Sequence, residues 1–101
     1  MKRIDRIYDY IKQKSANYTL ETLKGRIGAD AQEIAEALDI LRNNVSMELN
    51  TLHRQDRIVK IMGRPVLYFD KETLENLCGE SIGAGPCQFN SMEECVKKAL
   101  H

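Results

Sequence analysis

Residues 30–64, DAQEIAEALDILRNNVSMELNTLHRQDRIVKIMGR, contain two short helical patterns separated by a tight turn. Asp30 precedes the first pattern as a candidate N-cap, with Glu33 three residues later, as in a capping box. Only residues 39–42 separate the two patterns, so the pair predicts a helix-turn-helix. Each pattern is one apolar stripe at helical spacing, formed by Ile34, Ala35 and Leu38 and then by Val45, Leu49 and Leu52.

The second helix carries a polar face opposite its apolar stripe. At about 100° per residue, that face collects Asn43, Met47, Asn50 and Arg54, flanked by Ser46 and Thr51. Asn can pair with adenine and Arg with guanine or phosphate, so this face suits the major groove of DNA. An ordinary solvated helix face is the alternative.

A β-hairpin pattern follows at once. Residues 58–62 and 66–69 are rich in β-branched, aromatic and other apolar side chains, and Gly63-Arg64-Pro65 separates them. A helix-turn-helix followed by a hairpin is typical of a winged helix. Arg64 would then lie at the wing tip and Lys60 on its flank, where either could meet phosphate or a minor groove.

These residues resemble the N-terminal winged helix of the levanase-operon-activator family over about residues 30–69. The resemblance implies a bacterial regulator that works with the enhancer-dependent sigma factor, sigma-54, under control of the sugar phosphotransferase system. It also implies a homo-oligomer in the full-length protein and contact with RNA polymerase and sigma-54 through domains outside this chain. The similar elements are Arg42-x-Asn44-Val45-Ser46-x-Glu48-Leu49-Asn50-x-Leu52 and Lys60-x-x-Gly63-Arg64-Pro65-Val66.

Three positions depart from the family pattern. Asp39 stands where glycine is common, although Asp tolerates the left-handed backbone region better than most residues. Leu41 replaces the usual Ser or Thr N-cap, and Met47 replaces a basic residue.

Net charge is the main argument against nucleic-acid binding. The 101 residues contain 15 Lys and Arg and 15 Asp and Glu, so the net charge is zero. Residues 42–64 nevertheless hold a local surplus of three positive charges, because two acids, Glu48 and Asp56, face five bases. A winged helix that binds a protein through the same surface is therefore the second hypothesis, supported by the zero net charge and by Met47. A thiol-based sensor module is the third, based on Cys78, Cys87 and Cys95, although no C-x-x-C motif supports a metal or redox site.

The remaining segments extend this fold. Residues 2–15 read as a first helix with a stripe of isoleucines. A helical turn is expected from Thr19, interrupted by Gly25 and Gly28, and Ile27 is expected to form a brief strand against the wing. After the wing, Asp70 would cap a helix over 71–77 that Gly79 ends.

Composition divides the chain into a winged-helix domain (1–77), a linker (78–90) and a C-terminal helix (91–101). The linker prediction rests on glycine, serine and proline content, and Ser91 opens the last helix with a capping-box pattern. This helix either folds back on the winged helix, pairs with a second chain, or begins a truncated AAA+ domain, which the resemblance favours.

The predicted fold is α+β, a winged helix-turn-helix with a three-helix core, a two- to three-stranded β-wing, a C-terminal linker and an extra helix. The predicted function is sequence-specific binding of double-stranded DNA in the cytoplasm, with no membrane contact, since no signal peptide or membrane span is evident. No enzyme activity, cofactor or metal is expected, because neither His53 nor His101 has a carboxylate placed to act with it. The residues expected in the major groove are Asn43, Asn44, Ser46, Met47 and Asn50, and those expected on phosphates are Arg42, Arg54, Lys60 and Arg64.

Overall fold

The computed structural model describes residues 1–23 and 27–99, so the predicted interruption at Gly25 and the end of the predicted last helix lie outside the described residues. The described part is α+β and has the order of a winged helix followed by a further strand and helix. Its elements are α1 (Arg3–Ser15), a 3-10 turn (Leu20–Thr22), α2 (Ala31–Leu38), α3 (Arg42–Arg54), β1 (Ile58–Ile61), β2 (Leu67–Asp70), α4 (Lys71–Cys78), β3 (Cys87–Phe89) and α5 (Met92–Ala99).

The helix-turn-helix forms as the sequence predicts. The Asp30 carboxylate accepts a hydrogen bond from the Glu33 backbone N–H at 2.7 Å and caps α2. Asp39 ends α2 in the left-handed region, with φ of 54°, and thereby takes the place of the usual glycine. Leu41 makes no side-chain cap, yet α3 still begins at the next residue.

The first core lies between the three helices and one face of the sheet. The predicted stripe of α3 is fully buried, and it packs with isoleucines from α1 and α2 and with Ile58 and Tyr68 from the sheet. Burial of one apolar stripe per helix is what holds such short helices together. The residues at the centre of this core are Ile7, Ile11, Ile34, Val45, Leu49 and Leu52.

The sheet has the strand order β2–β1–β3. β1 pairs with β2 in the antiparallel wing and with β3 in parallel, so the described third strand comes from 87–89. The expected strand at Ile27 is replaced by a single bridge, in which Ala29 and Tyr68 exchange two backbone hydrogen bonds of 3.0 and 2.8 Å. Gly28 permits this approach, because its φ is 110° and a Cβ atom there would lie 2.6 Å from the Tyr68 carbonyl oxygen.

A second core covers the opposite face of the sheet, and it differs from the predicted linker over 78–90. Ile82 and Phe89 are buried there beside Phe69 and Leu74, and α5 folds back to add Met92. The glycines and serines of this segment form its turns, while its few apolar side chains pack on the open face of the sheet. The division into a winged-helix domain and the start of a further domain stays a prediction.

Local caps behave as predicted around this second core. The Asp70 carboxylate accepts from the Thr73 N–H at 3.1 Å at the start of α4, and Gly79 ends that helix with φ of 72°. The Ser91 hydroxyl accepts from the Glu94 N–H at 3.1 Å at the start of α5. Among the described helices, none combines the length and the apolar character needed to cross a membrane.

Polar contacts fasten the C-terminal segment to the end of α3. The Lys71 ammonium, whose residue is 6% exposed, donates to the Asp56 carboxylate at 2.7 Å and to the Gly83 carbonyl. Burial is the largest single effect and opposes ionisation of both partners. The hydrogen bond between them, the Gly85 backbone bond to Asp56 and the surrounding charges together outweigh burial, so the pKa of Asp56 is lowered and the pKa of Lys71 is raised. The His53 Nε2 also lies 2.9 Å from the Cys87 carbonyl oxygen.

Candidate nucleic-acid interface

One whole face of α3 is open to solvent. The side chains at its centre are exposed, while the opposite stripe is completely buried, so the helix cannot turn without exposing its core. The exposed residues are Asn43, Met47, Asn50 and Arg54, which are the four that the helical wheel assigns to the outward face. Two amides, a thioether and a guanidinium are therefore presented together on one side of a rigid helix.

A cleft lies between this helix and the wing. Arg42 and Ser46 line it from α3, Pro65 and Val66 line it from the wing, and residues 30–32 line it at the start of α2. Its volume is about 480 Å³. The start of α3, which has no side-chain cap, lies at this cleft, and helix N-termini favour anions such as phosphate. The start of α2 is already capped by the Asp30 carboxylate. The wing therefore stands beside the start of α3, as a winged helix requires for simultaneous contact with one duplex.

The two acids of the 42–64 stretch are directed away from the open face. Glu48 lies on the α1 side, where its carboxylate accepts from the Arg3 Nε at 3.4 Å. The Asp56 carboxylate forms a salt bridge with the Lys71 ammonium at 2.7 Å. Arg57 also points elsewhere, because its guanidinium lies 4.0 Å from the centre of the Tyr8 ring. The positive charge on the α3 face therefore comes from the ends of the helix.

Those helix ends carry Arg42 and Arg54, and both side chains are exposed. The Arg54 guanidinium donates to the Thr51 hydroxyl at 3.3 Å, and that hydroxyl in turn donates to the Met47 carbonyl oxygen at 3.1 Å. This chain of bonds holds Arg54 along the last turn of α3 rather than extended into solvent. Asn44, by contrast, is half-buried and is not among the residues that line the wing cleft.

The two wing residues are placed differently from each other. Lys60 is half-buried in β1, the central strand, opposite Tyr68 and Gln88, and alternation puts its side chain on the sheet face of Ile58, toward the helices. Arg64 is exposed at the turn, but it borders a separate cavity of about 360 Å³ between the wing turn and the start of α5. The structure thus brings Arg42 and Ser46 to the wing but does not bring Arg64 into their cleft.

Two residues at this surface were missed by sequence reasoning. Leu41 is 75% exposed directly before α3, and Gln32 lines the cleft from α2. Leu41 had a recognisable signal, since it is a large apolar residue that falls outside both helical stripes. Gln32 had none, because an exposed glutamine near a helix start is ordinary.

The cysteines belong to the second core rather than to a surface site. Cys78, Cys87 and Cys95 are all buried and free. Burial raises the pKa of the Cys78 thiol, and burial together with the neighbouring cysteines raises the pKa of Cys95 to about 12. Within residues 1–23 and 27–99, no group of three or more His, Cys, Asp and Glu side chains could hold a metal ion.

Comparison with known proteins relates this chain to transcriptional regulators. The chain is 44% identical over 77 residues to the transcriptional regulatory protein LevR of Bacillus subtilis, a match that covers 76% of this chain. This chain is similar to LevR-type regulators. It is also 26% identical over all 101 residues to the transcriptional regulatory protein DagR of Salmonella typhimurium. The resemblance to the levanase-operon-activator family, which residues 30–69 indicated, is therefore confirmed.

The similarity concerns a small part of each relative. The matched region is 8% of LevR and 11% of DagR, so the chain spans about one tenth of their length. No protein-family model and no solved structure matches the chain.

Proposed function

We propose that this chain is a sequence-specific DNA-binding module of a bacterial transcriptional regulator. The observation that carries the proposal is the open face of α3, which presents Asn43, Asn50 and Arg54 beside a wing and carries no acid at its centre. The similarity to two proteins named as transcriptional regulatory proteins supports the same conclusion. An α-helix fits the major groove of B-DNA, where each base pair has a distinct pattern of donors and acceptors.

In this proposal α3 lies in the major groove and the wing contacts the backbone or the minor groove. Asparagine side chains pair with adenine through two hydrogen bonds, and a short hydroxyl such as that of Ser46 can bond to several bases. Arginines at the two ends of α3 reach the phosphates that border the groove. The residues assigned to the groove are Asn43, Asn44, Ser46, Met47 and Asn50, and those assigned to phosphates are Arg42, Arg54, Lys60 and Arg64, the last also able to enter a minor groove.

The resemblance extends the proposal to the whole regulator. A LevR-like regulator would act in the cytoplasm as a homo-oligomer, with RNA polymerase and sigma-54 as partners and the phosphotransferase system as its control. Those activities would belong to parts of the protein other than the segment described here.

Protein binding through the same face is the second candidate function. It is favoured by two exposed apolar side chains at α3, Leu41 at 75% and Met47 at 60% exposure. A protein partner would bury them, whereas polar contacts alone would leave them in water. This candidate predicts that the face contacts no DNA.

An amide NMR titration with a mixed-sequence duplex at low salt tests the proposal. We expect shifts at residues 42–54 and 60–64 that fade as salt rises, because phosphate contacts release counterions. A folded sample without shifts at those residues would overturn DNA binding and favour a protein partner.

Two pairs of variants then separate base reading from phosphate binding. Asn50→Ala should change the ranking of duplex sequences, whereas Asn76→Ala, which removes an exposed amide from α4, should leave it unchanged. Lys60→Ala should weaken binding to all sequences and flatten the salt slope by about one unit. The exposed Lys97 on α5 is the matched lysine, and Lys97→Ala should leave the salt slope unchanged. An unchanged sequence ranking with Asn50→Ala would show that the groove face is assigned wrongly.

A further inference from the structure

Two large apolar side chains stand in water at the proposed DNA-binding helix. Leu41 is 75% exposed and Met47 is 60% exposed. Apart from the N-terminal Met1, no large apolar side chain in the described part of the chain is more exposed, and the next is Leu20 at 43%. One of them precedes α3 as its N-cap residue and the other lies on its outward face.

The fold itself does not need either side chain. Leu41 occupies the N-cap position of α3 and makes no cap hydrogen bond, although Ser or Thr there would stabilise the helix. Met47 accepts a hydrogen bond only through its backbone carbonyl, from Thr51, and its side chain lies opposite the buried stripe. Both residues are therefore better explained by a ligand than by packing.

The neighbours of Met47 indicate the chemistry of that ligand. Met47 lies about one helical turn from Asn43 and from Asn50, separated along the helix axis by about 6 Å and about 4.5 Å. Asparagine pairs with adenine, and the thymine that pairs with each adenine places a C5-methyl group in the same groove. That methyl is the apolar group that the major-groove edges of the bases present.

We propose that Met47, together with Leu41 at the helix start, recognises thymine methyl groups beside adenines bound by Asn43 and Asn50. This inference rests on the proposed function and narrows it to A·T-containing sites. Met47 suits this contact because its flexible, polarisable side chain adapts to a small apolar target. The amides around Met47 favour a base edge over an apolar protein groove.

Replacing thymine by deoxyuridine tests this directly, because the exchange removes only the methyl group. A preferred duplex is first selected from a random pool with the wild-type chain. Each thymine is then exchanged singly, and affinity is measured by fluorescence anisotropy. Removing one buried methyl should weaken wild-type binding about fourfold at one or two positions.

Variants assign the effect to the two side chains. Met47→Ala should bind the thymine duplex about fourfold more weakly and should no longer distinguish thymine from deoxyuridine at its position. Leu41→Ala should do the same at a different thymine. Leu20→Ala is the matched control, because Leu20 is an exposed leucine of the 3-10 turn and not of α3, and this variant should keep full discrimination. Since all three side chains are exposed, the variants should retain the wild-type melting temperature.

The possible failures are distinguishable. Sequence-specific binding with equal affinity for thymine and deoxyuridine at every position, or a selected site without thymine opposite α3, would overturn the methyl recognition while DNA binding stands. Unchanged discrimination in both Met47→Ala and Leu41→Ala would overturn the assignment to these residues. Absence of any DNA binding by the folded wild-type chain would overturn the proposed function as well.

Discussion

Replacing Phe89 by alanine should destabilise the whole chain. Phe89 lies in β3, is 6% exposed, and packs in the second core with side chains from the wing, α4 and α5. Its backbone carbonyl also accepts from the Met62 N–H at 2.8 Å, next to the wing turn. The substitution therefore leaves a cavity at the point where the C-terminal segment meets the winged helix.

The expected loss is about 3 kcal/mol in the free energy of unfolding. Substitutions of buried phenylalanine by alanine remove about 3–5 kcal/mol. The lower value applies because β3 is a three-residue edge strand whose neighbours can partly fill the space. A typical domain has about 5–15 kcal/mol in total, so this loss would be a large fraction of the stability.

Urea unfolding measured by circular dichroism checks the value. With a slope of about 1.5 kcal/mol per molar urea, the midpoint should fall by about 2 M. Gln88→Ala is the matched control, because Gln88 is the exposed central residue of the same strand and its loss should change stability by less than about 0.5 kcal/mol. Equally small effects of both substitutions would refute the reasoning, since residues 87–99 would then be a tether and not part of the core.

Three further predictions concern backbone strain, pH dependence and thiol reactivity. Gly28→Ala, measured by thermal melting, should lower the free energy of unfolding by about 2 kcal/mol, because its Cβ would lie 2.6 Å from the Tyr68 carbonyl oxygen. Gly79→Ala is the control and should lose less stability, because Gly79 is also at positive φ but has open space around it. Burial and the hydrogen bond to Glu33 raise the pKa of Tyr10 to about 12. The contribution of the protonated Tyr10 to the free energy of unfolding is therefore fully present below about pH 10 and is lost as pH rises to 12. Over that range the stability of Tyr10→Phe should fall less steeply than that of the wild type, and parallel curves would contradict the prediction. Cys95 is fully buried and its pKa is raised to about 12, so a disulfide reagent at pH 8 should modify it only after unfolding; rapid reaction in the folded chain would revive a thiol-sensor function.

The winged helix was predictable because its signals are local. The stripes of α2 and α3 follow a period of 3.6 residues, and each stripe is buried as that period requires. Asp30, Asp70 and Ser91 cap helices that begin at the next residue, and Gly63 marks the turn between two strands. Most elements therefore lie within one or two residues of their predicted bounds.

The second core was not predictable because it depends on contacts between distant segments. Cys87-Gln88-Phe89 alternates buried and exposed positions, but three residues within a glycine-rich stretch are too few to identify a strand. Its parallel pairing with β1 requires a connection that includes β2 and α4, and nothing in the local pattern specifies that pairing. Composition therefore favoured a linker.

For the candidate site, the wheel identified the exposed face of α3, since helical geometry alone decides which side chains oppose the buried stripe. It did not identify the exposure of Leu41, the cleft between Arg42 and Pro65, or the position of Arg64 beside a separate cavity. These depend on how the wing packs against α3 and α5.

The sequence by itself determined the helices and the hairpin of this protein, the face that α3 presents and the family that it resembles, because helix periodicity, caps and turn residues act over a few neighbouring positions. Only the tertiary structure decided that residues 79–99 pack on the open face of the sheet. Burial of Lys71 between Asp56 and Gly83, and the bond from His53 to Cys87, join groups that lie 12 to 34 positions apart in the chain. Such contacts depend on how the helices and the hairpin pack, because a buried charge must be paired and an open apolar sheet face must be covered, and no local pattern specifies which residues do so.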